Sequence, residues 1–167
     1  MKKLLLLLLF IPLVSFGQVT FNELMSVDSK NAFVNLMVNN QYSGIDSDVS
    51  DLSFAFNPVK GDDGQDQSSS FAYFYPDSNT FEFEFSRTGT TRNLYTGAVV
   101  YSGIMANTYD PMLKKAKRKC DYIEIKTIGN RSYLIYDCDT KKAKAKFNGL
   151  IGFTVSGQSG IVKTFNR

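Results

Sequence analysis

Histidine and tryptophan are absent from the 167 residues, cysteine occurs twice and proline four times. Each scarcity excludes something. Without an imidazole there is no Ser–His or Cys–His nucleophile pair, no His-ligated zinc and no histidine general base. An enzyme built on this chain must work with carboxylates, lysine, tyrosine or serine. Without tryptophan, the aromatic content is 14 Phe and 9 Tyr, side chains that bury large areas and favour strands. A sugar-stacking platform is one use for them, but strand alternation assigns most Phe to a core. No segment reaches the roughly 20 apolar residues that a membrane-spanning helix needs.

What is present begins with an export signal. Lys2 and Lys3 precede an apolar run of 11 residues, Leu4 to Val14, and Ser15 and Gly17 are small residues at positions −3 and −1 of a cleavage site. Charge, length and cleavage chemistry together predict a signal peptide over residues 1–17. No Cys follows the run, so a lipid anchor on a new N-terminal Cys is excluded. The working protein is then residues 18–167, a single domain in the periplasm or the medium. In that compartment Cys120 and Cys138 are expected to form a disulfide.

Net charge is +3, but the two signal lysines contribute to it. The distribution says more. Residues 18–86 carry 11 acids against Lys30 and Lys60, a net of −9, whereas residues 87–167 carry 15 bases against 5 acids, a net of +10. Such asymmetry raises the expectation that the halves face one another, within a chain or between chains.

Periodicity supplies the elements. Phe21, Leu24 and Met25 fit one helical turn. Asp28 reads as an N-cap for a helix from about Ser29 to Asn40, with Ala32, Phe33, Leu36 and Met37 on one stripe. Leu52, Phe54 and Phe56 alternate with small residues, Phe71 to Tyr75 reads as a second strand, and Phe81, Phe83 and Phe85 alternate with Glu82, Glu84 and Ser86. Leu94 to Tyr101 is the fourth strand expected of this half, and residues 61–70 read as a loop. Asp110 followed by Pro111 signals a second helix, with Met112, Leu113, Ala116 and Cys120 on its apolar stripe. Strands are then expected over Tyr122 to Ile128, Ser132 to Cys138, Ala143 to Val155 with a turn or bulge at Asn148-Gly149, and Ile161 to Phe165. If the hairpin turn centres on Asn130, Tyr122 faces Cys138 and Cys120 lies diagonal to it. Such neighbours are roughly 7–8 Å apart by Cα, whereas a disulfide needs about 4.4–6.8 Å. Closing the bond then requires the chain to swing as it leaves the helix.

The fold class expected is α+β: antiparallel sheet with two packed helices, in two similar helix-plus-four-strand halves over residues 18–105 and 106–167. That element order resembles the tandem helix-plus-sheet layout of the beta-lactamase inhibitor protein and of outer-membrane lipoproteins with a similar unit. The ending Ser15-Phe16-Gly17-Gln18 is similar to the signal peptides of exported Bacteroidota proteins. No functional residue transfers by this resemblance.

Three groups of side chains are candidates for chemistry. Glu82 and Glu84 point the same way from one strand, but glycosidase carboxylates face each other across a cleft, and alternation favours a solvated face. Asp46, Asp48 and Asp51, with Asp62, Asp63 and Asp66, are candidate calcium ligands, although neither group matches a calcium-loop spacing. Lys114, Lys115, Lys117, Arg118 and Lys119, with Lys142, Lys144 and Lys146 from the run that begins at Lys141, are candidates for a polyanion. Gly149, Gly152, Gly157 and Gly160 fit no phosphate loop. The leading expectation is an exported, non-catalytic binding or interaction protein without a cofactor. Its partner is a protein, a small molecule or a polyanionic envelope component, not nucleic acid. The alternatives are a carboxylate-based hydrolase and a polyanion or envelope-surface binder.

Overall fold

A computed structural model describes residues 19–62, 64, 66–86, 89–92, 99–102, 108–147, 149–157 and 159–166, with the side chains of 66, 89–92 and 99–102 excluded. The expected signal peptide lies outside the described residues. Among those residues no helix is long and apolar enough to cross a membrane.

The chain opens with α1, Phe21–Met25. Thr20 and Glu23 form a reciprocal capping box there, which satisfies two otherwise orphaned N–H groups. Helix α2 is Lys30–Asn39, and its N-cap is Ser29 rather than Asp28. The Ser29 hydroxyl accepts from the Ala32 amide at 3.3 Å and donates to the Asp28 carboxylate at 3.0 Å. The third helix, α3, is Tyr109–Lys119 with Thr108 at its N-cap. The helix thus starts before Asp110, and Pro111 sits in the first turn, where a missing N–H costs nothing.

Eight strands form one antiparallel sheet in the order β1-β2-β5-β6-β12-β11-β10-β9. These are β1 Tyr42–Ile45, β2 Leu52–Phe56, β5 Ser70–Tyr75, β6 Thr80–Ser86, β9 Asp121–Ile128, β10 Arg131–Asp137, β11 Leu150–Ser156 and β12 Ser159–Phe165. The architecture is α+β, as expected. Four strands of each half lie side by side, and the halves join where β6 pairs with β12. Two short ribbons stand apart: β3 Val59–Lys60 with β4 Asp66–Gln67, and β7 Gly89–Arg92 with β8 Val99–Ser102.

Three strand expectations need correction. The fourth sheet strand of the first half is β1, not Leu94 to Tyr101. Residues 94–98 of that stretch lie outside the described residues, and among the described residues β8 pairs only with β7. Residues 61–70 are not wholly loop, since β4 and the start of β5 fall there. Residues 143–147 are not a strand: Ala143 and Ala145 are half-buried and Lys144 and Lys146 exposed. Their alternation comes from a turn in which the Lys144 amide donates to Thr140, Ala145 to Cys138 and Lys146 to Met25.

Helices cover one face of the sheet. Phe54, Phe74, Phe81 and Phe83 converge there on Phe33 of α2, with ring centroids 5.3–6.0 Å from it. Tyr109 of α3 lies against Phe153 of β11 at 5.9 Å. A smaller cluster of Tyr133, Ile135, Ile161 and Phe165 forms on the opposite face.

Candidate functional site

The two basic runs are separate in sequence and adjacent in space. Helix α3 ends at Lys119, and Cys120 bonds to Cys138 at a Cα separation of 4.4 Å. The Thr140 hydroxyl donates to the Lys119 carbonyl at 2.7 Å. The turn carrying Lys141, Lys142, Lys144 and Lys146 is therefore fastened beside the helix end that carries Lys117, Arg118 and Lys119. Lys114, Lys117, Arg118, Lys141, Lys142, Lys144 and Lys146 are exposed, while Lys115 and Lys119 are half-buried. The Lys115 ammonium lies 5.8 Å from the Phe21 ring centroid, within cation–π reach. Lys117, Arg118 and Lys119 occupy the last turn of α3, where the helix dipole favours cations.

The disulfide forms, but by a geometry other than the one the sequence suggests. Ile128 pairs with Arg131, so the turn consists of Gly129 and Asn130 alone. Gly129 has φ +59°, and glycine at the first central position suits the tight turn that a hairpin's twist requires. Farther along, Ile135 faces Glu124 while Tyr136 faces Tyr122, leaving Ile123 as an extra residue on β9. This bulge advances the register so that Cys120 continues the pairing directly opposite Cys138. No swing of the chain is needed.

The acids divide. Asp46, Asp48 and Asp51 lie exposed on the β1–β2 loop beside open grooves of about 420–480 Å³. Asp62 is exposed, Asp63 lies outside the described residues, and the side chain of Asp66 is not described. Among the described residues no group of three His, Cys, Asp or Glu side chains is placed to hold a metal ion.

Glu82 and Glu84 are not an equivalent solvated pair. Glu82 is only 7% exposed. Its carboxylate accepts from Lys163 Nζ at 2.7 Å and lies 3.5 Å from Arg131. Strand order explains this, since β12 brings Lys163 opposite Glu82. Acidic and basic halves thus meet edge to edge in one sheet, and Glu82 ties them across the seam. Lys163 also lies over the Tyr75 ring at 4.8 Å. Phe71, Tyr73 and Tyr75 project from β5 on this same face, with Phe71 and Tyr73 stacked at 6.4 Å. Burial raises the phenols of Tyr73 and Tyr75 to about 12, with Glu84 and Glu82 adding to Tyr73 and Glu82 to Tyr75. Nothing in the sequence assigns Lys163 or Arg131 to Glu82. Their partner lies about 80 and 50 residues away in the chain, and only strand order connects them.

No protein-family model, no curated protein and no solved structure matches the chain.

Proposed function

We propose that this is an exported, non-catalytic binding protein whose basic surface, built from α3 and the 141–146 turn, takes an acidic polymer of the cell envelope. The observation that carries this reading is the fastening of two basic runs into one surface by Cys120–Cys138 and the Thr140–Lys119 hydrogen bond. Clustered cations raise the local concentration of a polyanion and speed its encounter. The disulfide accords with a compartment outside the cytoplasm. The position of Glu82 favours binding over carboxylate-based hydrolysis, because its carboxylate is occupied by two cations. The mirrored order of four strands on each side of the seam supports two helix-plus-four-strand halves over residues 18–105 and 106–167.

Heparin retention of chain 18–167 tests the reading. Binding is expected at low salt and lost as salt rises, because exposed charges are screened within about 10 Å at 0.1 M. Changing Lys114, Lys117 and Lys142 to Glu together is expected to abolish retention while the fold persists. Retention unchanged in that variant would refute the reading. Intact-mass measurement of the exported protein is expected to show loss of residues 1–17.

A further inference from the structure

The two edges of the sheet are built differently. At one edge β1 has four residues, including Gly44. At the other, β9 has eight residues, all exposed. Tyr122, Ile123, Ile125 and Ile128 on it are 54%, 50%, 62% and 42% exposed. Among the described residues no strand pairs with its outer edge, whose backbone donors and acceptors are open to one. Proteins blunt such edges with proline, bulges or charged side chains; β9 has no proline, its bulge lies at Ile123 near one end, and its central charges, Glu124 and Lys126, are of opposite sign. Cys120–Cys138 and the tight turn at Gly129 fasten the strand to β10 at both ends.

We infer that β9 pairs antiparallel with β9 of a second copy, forming a homodimer with one continuous sixteen-stranded sheet. Charge and register argue for the second copy. Glu124 and Lys126 face Ile135 and Tyr133 across the hairpin, so they share the face away from the helices, while Ile125 and Thr127 share the other. A two-fold axis normal to the sheet keeps each residue type on its face, and cross-strand neighbours also share a face. The axis must therefore pass beside a residue rather than between two. Placed at Ile125, it sets Ile125 against Ile125 of the second copy, Thr127 against Ile123, and Glu124 against Lys126 in both directions. A two-residue slip moves the axis to Glu124 or to Lys126, and two carboxylates or two ammonium groups then stand directly opposed, which is destabilising. One register alone is charge-complementary. The ends of β9 nearest the basic surfaces are then about 26 Å apart at ~3.3 Å per residue. That exceeds the screening length of about 10 Å at 0.1 M salt, so the two cationic surfaces do not oppose the pairing.

Sedimentation equilibrium of chain 18–167 tests this, with expected dimerisation at a Kd on the order of 1–100 μM. Glu124→Lys and Lys126→Glu, each at an exposed position, should separately weaken the dimer roughly tenfold or more. Their combination restores opposite charges in the same register and should restore the dimer. A wild-type chain still monomeric at about 1 mM would overturn the inference. So would single variants that dimerise like wild type, or a folded double variant that stays monomeric.

Discussion

Gly160 on β12 lies directly beneath the Tyr109 ring. A Cβ built there would meet Tyr109 Cγ at 2.6 Å, Cδ2 at 2.7 Å and Cδ1 at 3.1 Å. Tyr109 is 3% exposed and its ring packs edge-on against Phe153, so it has little room to retreat. Two effects of opposite sign compete in Gly160→Ala. Removing a strand glycine stabilises by about 0.5–1 kcal/mol through the unfolded chain. Overpacking costs about 1–3 kcal/mol and should win, because the whole ring rather than a flexible tip stands in the way. A net loss of about 1–2 kcal/mol corresponds to a Tm lowered by roughly 2–8 °C for a domain of this size. Urea unfolding of the four proteins in a cycle with Tyr109→Ala isolates the contact. Without the ring, Gly160→Ala should become neutral or stabilising, giving a coupling of at least about 1 kcal/mol. If Gly160→Ala costs the same in both backgrounds, the ring does not rest on the glycine and the placement of α3 is wrong.

Replacing Cys120 and Cys138 by Ser should cost about 3 kcal/mol in the chain-entropy model, from a bridge spanning a sequence separation of 18. An unchanged urea midpoint would argue that the bond does not form. Glu82→Gln strips Lys163 and Arg131 of their anion. Since both cations remain partly solvated, the expected loss is about 1–2 kcal/mol, seen as a lower midpoint at pH 7; no change would mean that the seam is not charge-locked. The phenols of Tyr73 and Tyr75, raised from 10.0 to about 12, release protons in the unfolded chain before the folded one. Their stabilisation is therefore complete below pH 10 and lost as pH rises towards 12. Ultraviolet titration should show tyrosines ionising late and unfolding setting in over that range; nine tyrosines titrating together near 10 would contradict the burial.

Local rules reached much of the fold. The alternation of Phe81, Phe83 and Phe85 survives in β6, and the stripe around Phe33 survives in α2, because both depend on burying one face of one element. Strand β1 was not legible, because Ser43 and Gly44 break its pattern and its pairing with β2 supplies what its side chains do not. At residues 143–147 period-two burial arises without a ladder, a case in which pattern and backbone separate. The disulfide partners were legible from compartment chemistry, whereas their register was not, because a single extra residue at Ile123 is invisible to composition. The basic surface was half legible: each run stands out in the sequence, but their adjacency depends on the bond that joins them. The Glu82 seam was hidden altogether, because it rests on a pairing between distant strands.

The position of β12 has a consequence for how the chain folds. The strand that comes last in the chain lies at the centre of the sheet, between β6 and β11. Until residues 159–165 pair, β6 has one unpaired edge and β11 another, and neither half can join the other. The closing contacts span more than 80 residues, as in the Phe81 amide donating to the Thr164 hydroxyl. Contacts of such length are slow to form because loop closure precedes their gain. On the proposed reading of an exported chain, that order delays completion of the sheet until the segment that joins its two halves is in place.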